Sequence, residues 1–405
     1  MEIGQLVVAC DLGSTTFRVL VTSVQPEGLR ILGAGTADAA GFRDGDFIDL
    51  SSGSRALQRA VEMAESQADV DITGFYYSVA GSHLHSFWAR SQLQLGAERR
   101  ALTEADVEMV MGRAHSISIP FDHAILVANP VGFTVDGIGG IIDPVGRLGS
   151  HLEVEAHLIT GSGTVQQNLE EAFGRIKLEP AGWCVDILAA ASVLLSDQEK
   201  EQGAVLVDMG GAATQWVLFR NGEIAGFGLV PLGGKHLTDD LSHGLKVPVP
   251  DAEAIKRSRG VVLRSLVEAV DPEVLFTEEQ PTESPGLIAT ILEPRLEEIF
   301  AMVKKDIGSG LKTGELRTGI ILTGGGIRCE GTDELAEEVF QLPVETRLFP
   351  SGVRGADRLS DGQWATALGL AAWASADALP TYRREAPDST SRRLPGILRR
   401  LWGRK

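Results

Sequence analysis

Along the chain, the hydrophobic pattern opens with two apolar, β-rich runs, residues 7–10 (VVAC) and 17–23 (FRVLVTS). They bracket the polar tip Asp11-Leu12-Gly13-Ser14-Thr15-Thr16, a pattern that predicts a hairpin with a Gly/Ser/Thr turn. The design recurs. Residues 204–207 (AVLV) and 216–220 (WVLFR) flank Asp208-Met209-Gly210-Gly211-Ala212-Ala213-Thr214-Gln215. A spacing of about 200 residues is longer than any solenoid period and predicts two related domains facing each other.

Elsewhere helical and strand periods alternate. Residues 54–66 (SRALQRAVEMAES) read as a helix and 72–80 (ITGFYYSVA) as a strand. Thr103 opens a helix to about Ser116 with acids in its first turn. Residues 124–128 and 131–135 read as strands on either side of Pro130, Asp136-Gly137 as a hairpin turn, and 152–160 as another strand. Ile187 to Leu195 suits a buried helix, with Asp186 as its N-cap. Residues 320–323 (IILT) form a strand running into Gly324-Gly325-Gly326, and a helix follows with Thr332 as N-cap and Asp333 and Glu334 in its first turn. Such alternation predicts α/β domains. The stretch from Ala376 to Ser391, rich in Pro, Ser, Thr, Asp and Arg, reads as a disordered linker.

Composition narrows the class. A chain of 405 residues corresponds to two to four domains, and 43% hydrophobic with 23% charged residues is ordinary for a globular protein with a real core. The formal charge of −18 argues against a nucleic-acid partner, which requires a basic face. Cys10, Cys184 and Cys329 are odd in number, far apart and in no CxxC pattern. The expectation is therefore a cytosolic chain without a disulfide framework or zinc site. The N-terminus shows no secretory signal, and no run approaches the ~20 apolar residues that span a bilayer.

Charge read by segment changes the picture. Residues 391–405 (SRRLPGILRRLWGRK) hold six basic residues and no acidic ones, so they carry +6 and leave −24 for the rest. Leu394, Ile397, Leu398, Leu401 and Trp402 form one helical stripe. Arg392, Arg393, Arg399, Arg400, Arg404 and Lys405 supply a basic flank. This is the pattern of a helix lying in an anionic membrane interface. Docking on its own protein or on a partner groove is the alternative.

Three Gly-rich turns follow apolar strands, and small residues let backbone N–H groups approach a phosphate closely. The first supplies Gly13, Ser14, Thr15 and Thr16, and the second Gly210, Gly211 and Thr214. Asp11 and Asp208, at the strand ends, suit the waters of a Mg²⁺ ion, which prefers oxygen ligands and keeps much of its hydration shell. Either hairpin alone also reads as a plain Asp-Gly turn. Gly324, Gly325 and Gly326 would bring backbone against an adenosine, or simply shape a βα connection. Gly233-Gly234-Lys235-His236 is not a P-loop, because Leu229 stands at the first Gly position and His236 replaces the Ser or Thr. Asp186 is either a helix cap or the carboxylate that orients an attacking water.

These loops, in this order, resemble the actin-like ATPase superfamily. Longer blocks are similar to the FtsA family of that superfamily: AAGFRDGDFIDL (39–50), SVAGSHLHS (78–86), ALTEADVEMVMGRAHSISIP (101–120), GRLGSHLEVEAHLITG (146–161), GLVPLGGKHLTDDLSHGLKVPVPDAEAIKRSRG (228–260) and ILTGGGIRCEGTDELAEEVF (321–340). The resemblance implies an α/β, duplicated actin-like (ribonuclease H-like) fold with a small α/β subdomain inserted in the first half. It divides the chain at 1–81 and 161–198 for the first subdomain, with the insert at 82–160. Residues 199–235 and 306–375 make the second subdomain, 236–305 a peripheral one, 376–390 the linker and 391–405 the membrane helix.

It implies ATP and Mg²⁺ between the halves, held by residues 11–16 and by 208–214, Ala212 included. Gly324 to Gly326 would lie on the adenosine, and Glu253, Lys256 and Arg257 would match a helix that contacts ribose and adenine. Asp11, Asp186 and Asp208 would be the catalytic carboxylates, with Asp11 and Asp208 reaching the metal through water. Many relatives carry an acid where Gln215 stands, so slow hydrolysis or binding alone is expected. The resemblance further implies a filament of identical subunits on the cytoplasmic membrane at the division septum. That filament would anchor FtsZ, with other divisome proteins as later partners, and the FtsZ C-terminal peptide would dock on 236–305. That stretch contains Glu268, Asp271, Glu273, Glu278, Glu279 and Glu283, an acidic surface or a solvated loop. Two alternatives are a PilM-like adaptor of pilus assembly and a small-molecule kinase or phosphatase on the same fold.

Overall fold

The structure, a computed structural model, describes residues 5–25, 28–270, 284–311, 316–350, 353–359 and 363–378. The chain begins with strands β1 (Leu6–Leu12), β2 (Thr16–Gln25) and β3 (Gly28–Asp38), then helix α1 (Leu50–Ala68) and strand β4 (Gly74–Val79). An excursion follows through β5 (His85–Gln94), α2 (Glu104–Ala114), β6 (His123–Val135), β7 (Ile138–Ile141) and β8 (His151–Ser162). The chain returns through α3 (Gly163–Arg175), β9 (Glu179–Val185) and α4 (Asp186–Leu194). The second half runs β10 (Ala204–Met209), β11 (Thr214–Arg220), β12 (Glu223–Val230), α5 (Gly234–Leu245), α6 (Val249–Arg259), α7 (Pro285–Ile307), β13 (Gly319–Thr323), α8 (Thr332–Phe340) and β14 (Val344–Thr346). A last helix, α9 (Ala365–Ala378), crosses back and packs on α4 and β1.

The two halves share one design. The first sheet has the order β3-β2-β1-β4-β9 and the second β12-β11-β10-β13-β14. In each, the three hairpin strands are antiparallel and the last two join parallel. The duplication legible in the two Asp-containing hairpins thus extends to whole sheets. One core joins the first half to a face of the second sheet through Ala204, Leu206, Val217 and Ile321, and clusters Phe17, Phe42, Phe47, Phe75, Tyr77 and Phe173 edge to face. A second core lies beneath α5 and α7. The excursion buries its own core: Leu152, Val154, Ala156 and Leu158 alternate along one face of β8 and meet Val107 and Val110 of α2.

Local signals explain most boundaries. Thr103 caps α2 in a reciprocal box: its hydroxyl takes the Asp106 N–H at 3.4 Å, and the Asp106 carboxylate takes the Thr103 N–H at 2.8 Å. Helix α1 starts at Leu50 rather than Ser54, because Asp49 caps the N–H groups of Ser51 and Ser52. Asp136 and Gly137, at φ 47° and 81°, make the expected hairpin turn.

Four expectations are corrected. Pro130 does not divide two strands; β6 runs through it, and the ladder to β8 steps from Glu155–Gly132 to Ala156–Pro130, a bulge that accommodates the missing N–H. Thr332 is the first helical residue of α8 after Gly331, and its hydroxyl donates to the Cys329 carbonyl at 2.6 Å. Asp186 is likewise inside α4, one residue past the cap position, and its carboxylate accepts the Ile187 N–H at 2.7 Å. Helix α9 continues to Ala378, so the expected linker begins later than Ala376. The rest of the linker, the basic tail from 391 to 405 and acidic residues 271–283 lie outside the described residues, as does the Glu268 side chain.

Candidate functional site

Strand β1 delivers Asp11 to the bottom of a cleft of about 460 Å³ between the two halves. Ser78 of β4 fixes it: the Ser78 hydroxyl donates to the Asp11 carboxylate at 3.1 Å and accepts the Leu12 N–H at 2.9 Å. Across the hairpin, Asp11 registers with Arg18. The Arg18 guanidinium, only 6% exposed, lies 3.7 Å from the Asp11 carboxylate and donates to the Gln363 amide oxygen at 2.5 Å, while its Nε has no partner.

The second half repeats the arrangement with different chemistry. Asp208, at the end of β10, registers with Gln215 on β11 and with Thr323 on β13. Gln215 Nε2 donates to the Asp186 carboxylate at 2.5 Å. The two hairpin tips meet, with the Ala212 N–H donating to the Ser14 hydroxyl at 3.2 Å. The start of α5 supports the second tip from below: Gly234 N–H reaches the Gly210 carbonyl at 2.9 Å and Lys235 N–H the Gly211 carbonyl at 2.8 Å. So the Gly233–Lys235 segment, which fails the P-loop spacing, instead braces a phosphate-type loop. Gly324 closes the floor at φ 98°, where a Cβ would strike the Asp208 carboxylate.

Gly13, Ser14, Thr15, Thr16, Gly210, Gly211, Ala212, Gly324, Gly325 and Gly326 all line the cleft, as do Asp11, Asp186 and Asp208. Glu253, Lys256 and Arg257 line its far end on α6. There Glu253 pairs with Lys256 at 2.6 Å and Arg257 at 2.8 Å, and Lys256 also donates to the Gly234 carbonyl at 2.9 Å, tying α6 to α5. Thr214 is a correction. It is fully buried away from the cleft, and its hydroxyl donates to the Leu232 carbonyl at 2.8 Å. Neighbours on a strand point to opposite faces, so with Gln215 turned into the cleft Thr214 must turn out. Ala212 is also engaged, since its N–H is held by Ser14.

The sequence reading missed Arg18 and Gln363 as cleft residues and gave Gln215 no role. The signal was present in part: each stands opposite or near the functional Asp, Arg18 seven residues after Asp11 and Gln215 seven after Asp208. Gln363 arrives from 345 residues away in sequence from Arg18, and no local pattern announces it.

The electrostatics are those of crowded carboxyls, two buried (Asp11 and Asp186) and one half-buried (Asp208). Burial raises Asp11, against the opposing pull of Arg18 and Ser78. Burial and then the charge of Asp208 hold Asp186 well above the usual carboxylate range. Burial, followed by Asp11, pushes Asp208 up to about 7. A hydrated divalent cation would relieve this mutual repulsion, and the all-oxygen donor set suits Mg²⁺. Among the described residues no three carboxylate, imidazole or thiolate groups converge closely enough to ligate a metal directly. With hydroxyls and backbone N–H groups at two facing tips and a buried guanidinium beneath, the cleft can take a polyphosphate and a cation.

Comparison with known proteins places this architecture. The family model described as cell division protein FtsA matches residues 205–369, and that described as the SHS2 domain inserted in FtsA matches residues 81–160. Cell division protein FtsA of Borreliella burgdorferi is 34% identical over 379 residues, covering 90% of this chain and 90% of that protein. Among solved structures, a PilM–PilN type IV pilus biogenesis complex aligns with TM-score 0.64 at 15% identity, over 90% of this chain and 97% of that one. MreB5 of Spiroplasma citri bound to AMPPNP aligns with TM-score 0.51 at 13% identity, over 92% and 97%. These two show an actin-like fold.

Proposed function

The chain belongs to the FtsA family of cell division proteins, and on that premise we propose that it is an ATP-binding actin homologue that polymerises on the cytoplasmic face of the membrane at the division septum and anchors FtsZ filaments there. The observation that carries the nucleotide part is the meeting of two hairpin tips, each following an aspartate that lines the cleft, across one cleft. In this reading Gly13 to Thr16 and Gly210 to Ala212 surround the phosphates, with Arg18 beneath them. Asp11 and Asp208 hold the waters of Mg²⁺, whose charge would offset that of the phosphates and of the buried carboxyls. Gly324 to Gly326 lie along the adenosine, and Glu253, Lys256 and Arg257 flank its ribose and base. Hydrolysis, with Asp186 facing the attacking water, is slow.

Membrane attachment rests on the basic amphipathic segment 391–405. Among the described residues no helix is long and apolar enough to cross a membrane. One short helix binds lipid weakly, so a filament that presents many of them gains avidity. The subdomains follow the divisions set out above, with 82–160 as the insert and 236–305 as the docking site for the FtsZ C-terminal peptide.

The decisive experiment is electron microscopy of the protein on lipid monolayers with and without ATP, using the full chain and a chain ending at residue 390. Filaments on lipid only with the intact tail and with ATP are expected. Equal membrane recruitment of the truncated chain would refute the tail assignment. Capture of a pilus-protein peptide in place of the FtsZ C-terminal peptide would move the chain to an adaptor of pilus assembly.

A further inference from the structure

Gln363 lines the cleft from the far end of the chain, 345 residues after Arg18. Its neighbour sets its place. Trp364, 1% exposed, is sunk in the first core, and its carbonyl takes the Leu368 N–H at 2.8 Å at the start of α9. So anchored, the Gln363 side chain touches both halves of the cleft. Its amide oxygen accepts the Arg18 guanidinium at 2.5 Å. The same amide lies on Gly325, in the loop after β13, where an added Cβ would meet its atoms at 2.8–3.0 Å.

Arg18 needs such a partner. It registers with Asp11 across the hairpin, but the carboxylate stands 3.7 Å away, too far for a hydrogen bond, and the Arg18 Nε has no partner. A guanidinium grips phosphate through a planar fork, so its orientation matters as well as its charge. A carboxylate at the position of Gln363 would fix the fork and cancel the charge. The neutral amide fixes it and leaves the charge available.

We propose that Gln363 is a positioning residue for the nucleotide, which orients the Arg18 guanidinium beneath the phosphates and leaves its charge to them. The proposal rests on the nucleotide reading of the cleft and deepens it. Because the same amide rests on Gly325, one side chain ties the cation under the phosphates to the loop along the adenosine.

The test titrates the full-length chain with ATP in a calorimeter, alongside Gln363→Met, Gln363→Glu, Arg18→Met and the double variant Arg18→Met/Gln363→Met. Melting without nucleotide reports that each is folded. Gln363→Met keeps the side chain's length and removes the acceptor. It is expected to weaken ATP binding about 3–30-fold, and Gln363→Glu, which pairs with the cation and adds a negative charge, about 10–100-fold. In the Arg18→Met background, Gln363→Met is expected to cost less than about twofold more, because a residue that acts through Arg18 has nothing left to position. A purely structural role, or a direct contact with the nucleotide, would carry the full loss into that background and overturn the proposal. Parental ATP affinity in Gln363→Glu would overturn it too. That variant keeps an acceptor for Arg18, so it decides the matter if Gln363→Met does not fold. If the unsubstituted chain binds ATP and Gln363→Met binds it equally well, the proposal falls and the nucleotide reading stands. If the unsubstituted chain binds no ATP, both fall.

Discussion

Ser14 accepts the Ala212 N–H at 3.2 Å, a contact between residues 198 positions apart that joins the tips of two hairpins built on the same plan. The same hydroxyl lines the cleft, where the proposed nucleotide would place its phosphates. Replacing Ser14 by Ala removes the clip and one polar contact worth about 0.5–1.5 kcal/mol. We expect Ser14→Ala to weaken ATP binding by about 2–12-fold in a calorimetric titration, with little change in melting temperature without nucleotide. Unchanged affinity would mean the first tip does not touch the phosphates.

Arg18 is a buried cation with incomplete compensation: a neutral amide, a carboxylate at 3.7 Å and an unpartnered Nε. Removing one partner of a buried ion pair leaves the other, here Asp11, uncompensated and destabilises the fold, and an anionic ligand loses its partner as well. Arg18→Met is therefore expected to melt below the parent temperature without nucleotide and to gain less from saturating ATP than the parent does. Its ATP affinity should fall about 10–100-fold, roughly 1.4–2.7 kcal/mol. The smaller nucleotide-induced rise in melting temperature is the signature; equal rises in the two chains would assign Arg18 a purely structural role.

The inserted domain, carried by the first half, also touches the second: Asn129 on β6 donates to the Ile224 carbonyl on β12 at 3.3 Å. Beside that contact, burial and secondarily Glu201 push Glu223 up to about 7, against the opposing pull of Asn129. Its pKa is raised on folding, so its contribution is full below about 4.5 and is lost as pH rises through about 7. In the insert, burial lowers His157 to about 4. Its contribution is present above about 6.5 and lost as pH falls through about 4. Glu223→Gln should melt with the parent chain near pH 5 and above it at pH 8. The difference at pH 8 would correspond to about 1–3 kcal/mol once the partial solvent access of the carboxyl is allowed for. Coincident melting curves at pH 8 would show that Glu223 is not buried at this contact.

Gly369 on α9 crosses α4 at Ala189, where an added Cβ would run into the Ala189 backbone carbonyl. Because the clash is with main chain, Gly369→Ala must separate the helices, at a cost of about 1–3 kcal/mol. Helix α4 begins with Asp186, so the shift should also slow phosphate release. A lower melting temperature with unaltered phosphate release would show that the displacement does not reach Asp186.

Much of this molecule is legible locally. Strand periods and Gly-Ser-Thr tips announce both hairpins, and Thr103 with Asp106 announces α2, because propensity, capping and turn chemistry act within a few residues. The blocks around 101–120 and 228–260 carry the family. Tertiary structure decided which side chains serve the cleft. Asp11 and Asp208 have the same local context, yet the first registers with a cation, Arg18, and the second with an amide, Gln215. Thr214 reads as a phosphate ligand and is turned outward, because alternation along β11 admits only one of two neighbours to the cleft. Gln363 beneath Arg18, Asn129 against Ile224 and Gly369 against Ala189 pair residues more than 90 positions apart in sequence. Their partners are set by how helices and sheets pack, which depends on the shape of whole surfaces and leaves no periodic trace in the chain.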